Sequence, residues 1–269
     1  MSSKIDTFRK LHQGPAVLLL PNAWDAGSAR LFESLGAPAI ATTSAGMAWS
    51  LGYQDGRVID IHDAMAAARR IERAIKVPLT FDIENGYSDY PTIVAENVMR
   101  LVDLGVAGIN IEDGPDKPAL LVAKIEAIRN ALSKAGADLF INARSDVFLA
   151  ELVDTARRVE ESIARGRRYE QAGANGLFFP ALHKEDDIAT IVGATTLPVN
   201  VLAWPGLGTA NRLAELGVRR LSAGSGISQA LWLYAGKFGT EFLKDGQADF
   251  AYAPFSRYAD IQSLLDRKR

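Results

Sequence analysis

The sequence predicts an α/β fold, a (β/α)8 barrel of the TIM type with extra C-terminal helices, and three observations carry that reading. Short apolar runs alternate with helix-like stretches eight times, with no linker or low-complexity break between them. Glycine stands between helix and strand in the phrases Leu35-Gly36, Leu104-Gly105, Ala172-Gly173 and Leu216-Gly217. The apolar runs stop in polar or charged residues, as they do where strand C-termini form the functional rim of a barrel. At 269 residues and 48% hydrophobic content the chain can bury the large core this needs. One domain is expected over residues 1–269, with the barrel over about 16–236 and a helical extension over about 237–269.

A polar helix opens the chain, and its His12 reads as a surface residue, as does His62 in a later helix. Ala16-Val17-Leu18-Leu19-Leu20-Pro21 is the first strand; Asn22, Trp24 and Asp25 lead from it into an alanine-rich helix. Ala39-Ile40-Ala41-Thr42-Thr43 is the second and meets Ser44-Ala45-Gly46. An excursion over 47–56 carries Trp49, Tyr53 and Asp55 ahead of a helix over about 59–76. The third strand, Leu79-Thr80-Phe81-Asp82, delivers Asp82 and Glu84 to a turn; if the chain stays extended, both side chains share one face. After a helix over about 91–104, the fourth strand ends in Glu112-Asp113. The fifth, behind a helix over about 119–135, ends in Arg144. Helices over about 154–172, 184–192 and 209–216 separate the last three strands, Gly176-Leu177-Phe178-Phe179-Pro180, 197–202 and 218–222.

Read along that rim, the chain offers Asn22, Thr43-Ser44, Asp82, Glu84, Glu112, Asp113, Arg144, Asn200 and Ser222. Carboxylates around one mouth suit Mg²⁺ or Mn²⁺, hard cations that keep several waters. Asp82 is the expected direct ligand, with Glu84, Glu112 and Asp55 holding metal-bound waters. Such a metal binds a 2-oxo acid and stabilises the enolate left when a neighbouring bond breaks. Arg144 would complement that oxyanion, and Thr43, Ser44 and Ala45 would hold a carboxylate, with Asn200 on the same rim. No strand ends in lysine, which argues against Schiff-base chemistry. The glycine-rich turns 205–209 and 223–228 read either as phosphate-binding helix starts or as tight turns with nothing bound.

Thirty basic and thirty-two acidic residues leave a formal charge of -2, with no basic run suited to nucleic acid. No apolar run approaches membrane-spanning length and the start lacks an apolar signal region, so a cytoplasmic protein is expected. The absence of cysteine excludes disulfides, thiolate metal sites and a cysteine nucleophile. The tail is rich in aromatics (Trp232, Tyr234, Phe238, Phe242, Phe250, Tyr252, Phe255 and Tyr258), which implies burial against another subunit or packing back on the barrel.

The segments Thr42-Thr43-Ser44-Ala45-Gly46 through Ser50-Leu51-Gly52-Tyr53-Gln54-Asp55, Phe81-Asp82-Ile83-Glu84-Asn85-Gly86-Tyr87, Asn110-Ile111-Glu112-Asp113 and Asn142-Ala143-Arg144 resemble the isocitrate lyase/phosphoenolpyruvate mutase superfamily, in order and spacing. The resemblance implies a β/α barrel with Mg²⁺ in its mouth, a 2-oxo acid or its enolate as ligand, and a homotetramer that exchanges C-terminal helices between subunits. By position Asp82 is similar to the direct metal ligand, Glu84 and Glu112 to the acids beyond it, Asp55 to the loop aspartate near the reacting centre, Arg144 to the substrate arginine, and Thr43-Ser44-Ala45 to the carboxylate-binding segment. Two departures stand out. The lyases' cysteine-bearing loop is replaced by Gly114-Pro115-Asp116-Lys117-Pro118, and the mutases' longer gating loop is missing, with Lys117 its one remnant. After the sixth strand stands Pro180-Ala181, where mutases have histidine and lyases glutamate, so the acid-base group is open among Tyr53, Asp55 and Lys117. The expected activity is metal-dependent carbon–carbon cleavage or decarboxylation of a small 2-oxo or hydroxy di- or tricarboxylic acid. The alternatives are carbon–phosphorus chemistry on a phosphonopyruvate-like compound and a non-catalytic 2-oxo acid binder.

Overall fold

A computed structural model of the protein describes residues 3–249 and 258–266. Nine parallel strands form the sheet: β1 (Leu18–Leu20), β2 (Asn22–Ala23), β3 (Ile40–Thr42), β4 (Leu79–Asp82), β5 (Gly108–Glu112), β6 (Phe140–Arg144), β7 (Gly176–Phe179), β8 (Val199–Leu202) and β9 (Arg220–Ser222). β1 and β2 are halves of one stave, because Pro21 between them has no N–H for the ladder. β1 pairs with β9 and β2 with β3, so that broken stave closes the ring into the predicted eight-fold barrel.

Helices α2 (Ala26–Ser34), α4 (Ile61–Ala74), α5 (Pro91–Asp103), α6 (Pro118–Ala135), α7 (Arg158–Ala172), α8 (Glu185–Gly193) and α9 (Ala210–Glu215) occupy the connections between strands. Their apolar faces bury Ile71, Val98, Ile125, Tyr169 and Ile188 in one core with the strands' outward residues. The excursion after β3 contains a short helix, α3 (Ser44–Ser50), that the sequence reading leaves as loop. No helix among the described residues is long and apolar enough to cross a membrane.

The opening helix α1 (Lys4–Leu11) plugs the N-terminal end of the barrel with Phe8, edge-on to Phe140 at 5.4 Å between ring centroids. His12 is therefore not the surface residue expected. It is 5% exposed, stacks on Phe140 at 4.3 Å, and bonds through Nδ1 to the Phe8 carbonyl at 2.8 Å. Burial and the neighbouring Arg220 charge push its pKa down to about 3.

The tail leaves the barrel as α10 (Gly226–Asp245), whose only buried residue is Ser228, and Leu231, Trp232, Leu233, Tyr234, Phe242 and Leu243 are exposed along it. This stretch does not fold back on its own barrel. Phe250, Tyr252 and Phe255 lie outside the described residues, as does the Tyr258 side chain; α11 (Tyr258–Leu265) returns to α2, where Arg30 Nε donates to the Leu264 carbonyl at 3.2 Å.

Gly108 permits the close approach of plug and barrel. A Cβ there would meet Phe8 Cε1 at 2.8 Å, the Phe140 carbonyl oxygen at 3.1 Å and Thr80 Oγ1 at 3.2 Å. Gly108→Ala is expected to cost about 1–3 kcal/mol by overpacking and Phe8→Ala about 3–5 kcal/mol by cavity formation, both read from urea unfolding midpoints.

Candidate active site

At the opposite, C-terminal end, the strand ends enclose a cavity of about 200 Å³ lined by Thr43, Ser44, Ala45, Asp55, Asp82 and Arg144 among others. Its floor is an amide network inside the barrel. Asn142 Nδ2 donates to Asn110 Oδ1 at 2.9 Å and Asn200 Oδ1 at 3.1 Å, Ser222 Oγ donates to Asn200 Oδ1 at 3.1 Å, and Arg220 Nη2 donates to Asn110 Oδ1 at 3.1 Å. Asn110 and Ser222 reach the cavity from this layer. Asn200, expected among the substrate contacts, does not line it; both ends of its amide are bonded within the floor, Nδ2 to the Val201 carbonyl at 2.7 Å.

Asp82 ends β4 buried, and its Oδ1 accepts the Glu84 N–H at 3.0 Å. The strand stops there: Glu84 sits at φ 51°, so the alternation that would put both carboxylates on one face is broken. The Glu84 carboxylate instead accepts the backbone N–H of Arg57. Burial raises the pKa of both acids; Arg144 draws Asp82 back down, while Asp82 and Asp55 push Glu84 further up.

Arg144, at the end of β6, is gripped from two sides. Asp146 takes Nε at 2.6 Å and Nη2 at 3.0 Å, and Glu112 takes Nη1 at 2.7 Å. Three of the five guanidinium N–H groups are thus engaged, leaving two for a ligand. Glu112 is pushed up to about 8 by burial and by Asp146, Asp82 and Glu84, with Arg144 opposing. Sequence reasoning missed Asp146, although it follows Arg144 by two residues. Asp113, counted there among the rim acids, turns the other way: Oδ2 accepts from Ser145, Arg165 and Tyr169 at 3.0, 2.9 and 2.6 Å, and Oδ1 accepts the Asp146 N–H at 2.9 Å.

Thr43 caps α3, its Oγ1 accepting the Gly46 N–H at 3.3 Å and its carbonyl the Met47 N–H at 3.0 Å. The two earlier N–H groups, of Ser44 and Ala45, have no intrahelical acceptor, and both residues line the cavity. Asp55 reaches the cavity from its exposed loop. Tyr53 does not: its hydroxyl donates to Asp63 at 3.0 Å, outside the lining. Lys117 is exposed at the N-cap of α6, also outside it. His183 is exposed and likewise outside the lining, its Nδ1 2.8 Å from the Ala181 carbonyl. Gly224 and Ser225 of the turn entering α10 line the cavity, whereas residues 205–209 do not. Leu149, Phe178, Leu202 and Trp204 give it an apolar wall that no sequence signal marked.

The sequence model of the family described as phosphoenolpyruvate phosphomutase matches residues 8–241. The chain belongs to that family. Membership bears out the superfamily resemblance and puts the chain among lyases and mutases. An uncharacterised protein of Mycobacterium tuberculosis is 38% identical, with 96% of each chain covered. An oxaloacetate decarboxylase of Pseudomonas fluorescens is 31% identical over 82% of this chain and 78% of its own. A crystal structure from Burkholderia cenocepacia, described as that of a candidate phosphonomutase, is 37% identical, covers 91% of this chain and 100% of its own, and superposes with a TM-score of 0.82.

The donor set fits a hard divalent cation held mainly through water. Among the described residues no three acidic or histidine side chains converge to ligate one ion directly. Yet Asp82, Glu112 and Asp146 act on one guanidinium, that of Arg144, and burial, with the neighbouring carboxylates adding to it, raises Glu112. Glu112 therefore holds a proton in the folded protein that an unfolded carboxylate, near 4.5, releases. Its contribution to stability falls as pH rises from about 4.5 to about 8. In metal-free protein, Glu112→Gln should gain stability over the parent between about pH 5 and about pH 8, reaching about 1–4 kcal/mol at the upper end, measured as paired urea midpoints.

Proposed function

We propose that the protein is a Mg²⁺- or Mn²⁺-dependent carbon–carbon lyase acting on a small 2-oxo or hydroxy dicarboxylate, with oxaloacetate decarboxylation the first reaction to test. The observation that carries this reading is Arg144, clamped by Glu112 and Asp146 with two N–H groups to spare, in one small cavity with Asp82. The 31% identity to an oxaloacetate decarboxylase supports the choice of substrate.

Asp82 would hold the cation directly and Glu84 and Glu112 through water. When bound, the cation supplies Lewis-acid polarisation of the keto oxygen. Ser44 and Ala45 N–H groups bind a carboxylate of the substrate. The two unclaimed N–H groups of Arg144 meet the oxygen on which charge develops as carbon dioxide departs. Leu149, Phe178, Leu202 and Trp204 keep water from the carbanionic carbon. Asp55, which lines the cavity as Tyr53 and Lys117 do not, is the group we assign to proton delivery at that carbon. The product is pyruvate.

Metal-loaded protein should release pyruvate from oxaloacetate. Arg144→Ala should lower kcat/KM by about 10²–10³ while retaining Mn²⁺ binding, and Asp82→Ala should abolish metal-dependent binding of oxalate, an enolate mimic. Full oxalate affinity in both variants would remove the basis of the assignment. A second reading, carbon–phosphorus cleavage or rearrangement, is favoured by the 37% identity to the phosphonomutase candidate; it predicts turnover of phosphonopyruvate instead. A binder predicts an oxalate-dependent thermal shift with no turnover of either compound.

We also infer a homo-oligomer, from the apolar residues that α10 leaves exposed. Leu233 is 76% exposed, and Leu233→Asp should lower the mass measured by light scattering from that of the assembly towards one chain; an unchanged mass would remove α10 from the interface.

A further inference from the structure

The N-terminal end of the barrel carries a second hollow. The loops entering β6, β7, β8 and β9 form, with the end of α1, a cleft of about 520 Å³ whose polar lining includes Arg9, Gln13, Asn175, Thr195 and Arg219. No carboxylate lines it, and it shares no residue with the catalytic cavity.

Arg219 forms no ion pair among the described residues; its Nη1 reaches only the carbonyls of Val218 at 3.0 Å and Ala214 at 3.5 Å. Asn175 Oδ1 is held by the Arg129 guanidinium and by the Ile141 N–H at 3.0 Å, which fixes the amide and leaves its Nδ2 donors unclaimed. Behind the floor lies Arg220, 1% exposed, with Nε and Nη1 lacking any hydrogen-bond partner. Its charge reaches His12, a wall of the cleft. Four guanidiniums (Arg9, Arg129, Arg219, Arg220) thus stand in or behind the walls. Against them are three carboxylates, Asp138 on Arg9 and Arg129, Glu170 on Thr196, and Asp82, whose charge reaches Arg220 from inside the barrel. A concave site with excess positive charge and forked donors concentrates oxyanions.

We propose that this cleft is a second ligand site, binding a small oxyanion, the phosphate or carboxylate group of a metabolite, through Arg219 with the amides of Gln13 and Asn175. The proposal does not depend on the chemistry of the catalytic cavity.

The test is titration of the full chain with inorganic phosphate and, in parallel, acetate, followed by calorimetry and thermal shift. The parent protein, Arg219→Gln, Gln13→Leu and Arg144→Ala are compared. Saturable binding of at least one anion is expected in the parent and in Arg144→Ala, weakened about tenfold or more in Arg219→Gln and about two- to fivefold in Gln13→Leu. The tighter anion says whether phosphate or carboxylate is the group recognised. Gln13 is exposed, so its variant decides the matter should Arg219→Gln fail to fold. No saturable binding of either anion, parental affinity in Gln13→Leu, or loss of binding in Arg144→Ala overturns the proposal.

Discussion

The C-terminal end of the barrel is organised by buried charge, a cluster of carboxylates that the Arg144 guanidinium neutralises only in part. Arg144 satisfies Asp146 and Glu112 directly and acts on Asp82 through space, yet burial, with neighbouring acids adding to it, keeps the pKa values of Asp82, Glu84 and Glu112 raised. Burying one unpaired carboxylate costs several kcal/mol, so such a cluster persists only where folding elsewhere is strongly favourable. The apolar sleeve between strands and helices supplies that, and the amide floor keeps the cluster from collapsing into the barrel. A divalent cation would offset the same buried charge.

The clamp on Arg144 is itself supported from outside the barrel. Asp113 accepts four hydrogen bonds, from Ser145, Arg165, Tyr169 and the backbone of Asp146, and is completely enclosed by them. One carboxylate thereby ties α7 to the segment that carries Asp146, and Asp146 sets the angle of the guanidinium. Orientation of the cavity-lining arginine is thus fixed two links away, by an acid that never meets the cavity.

Much of this was legible in the sequence, and the exceptions share a cause. Alternation and glycine punctuation located every stave because both are local, and Asp82, Arg144 and the Thr43-Ser44-Ala45 segment reached the cavity because strand ends fix where a side chain begins. What a side chain then meets is not local. Asn200 was absorbed by an amide and a hydroxyl from other strands, Asp113 by α7, and His12 by an aromatic plug whose partner lies more than a hundred residues on. The apolar wall of Leu149 and Trp204 was invisible for the same reason, since loop hydrophobics carry no period to read.

The loop that brings Asp55 to the cavity is joined to the acids it faces. Arg57, at φ 65°, gives its backbone N–H to Glu84 and its Nη2 to Asp116 at 2.9 Å, lying across Gly114, where a Cβ would meet Nη2 at 2.8 Å. Arg57 and Glu84 both occupy the left-handed region, at a cost of about 1–2 kcal/mol each that only surrounding contacts can offset. Those contacts are the ones between the two residues. Lifting the loop would break the Arg57 contacts to both Glu84 and Asp116, freeing the Glu84 carboxylate and withdrawing Asp55 in the same movement. With only Asp113-Gly114-Pro115-Asp116-Lys117 between β5 and α6, the short connection is the anchor against which the Asp55 loop is held.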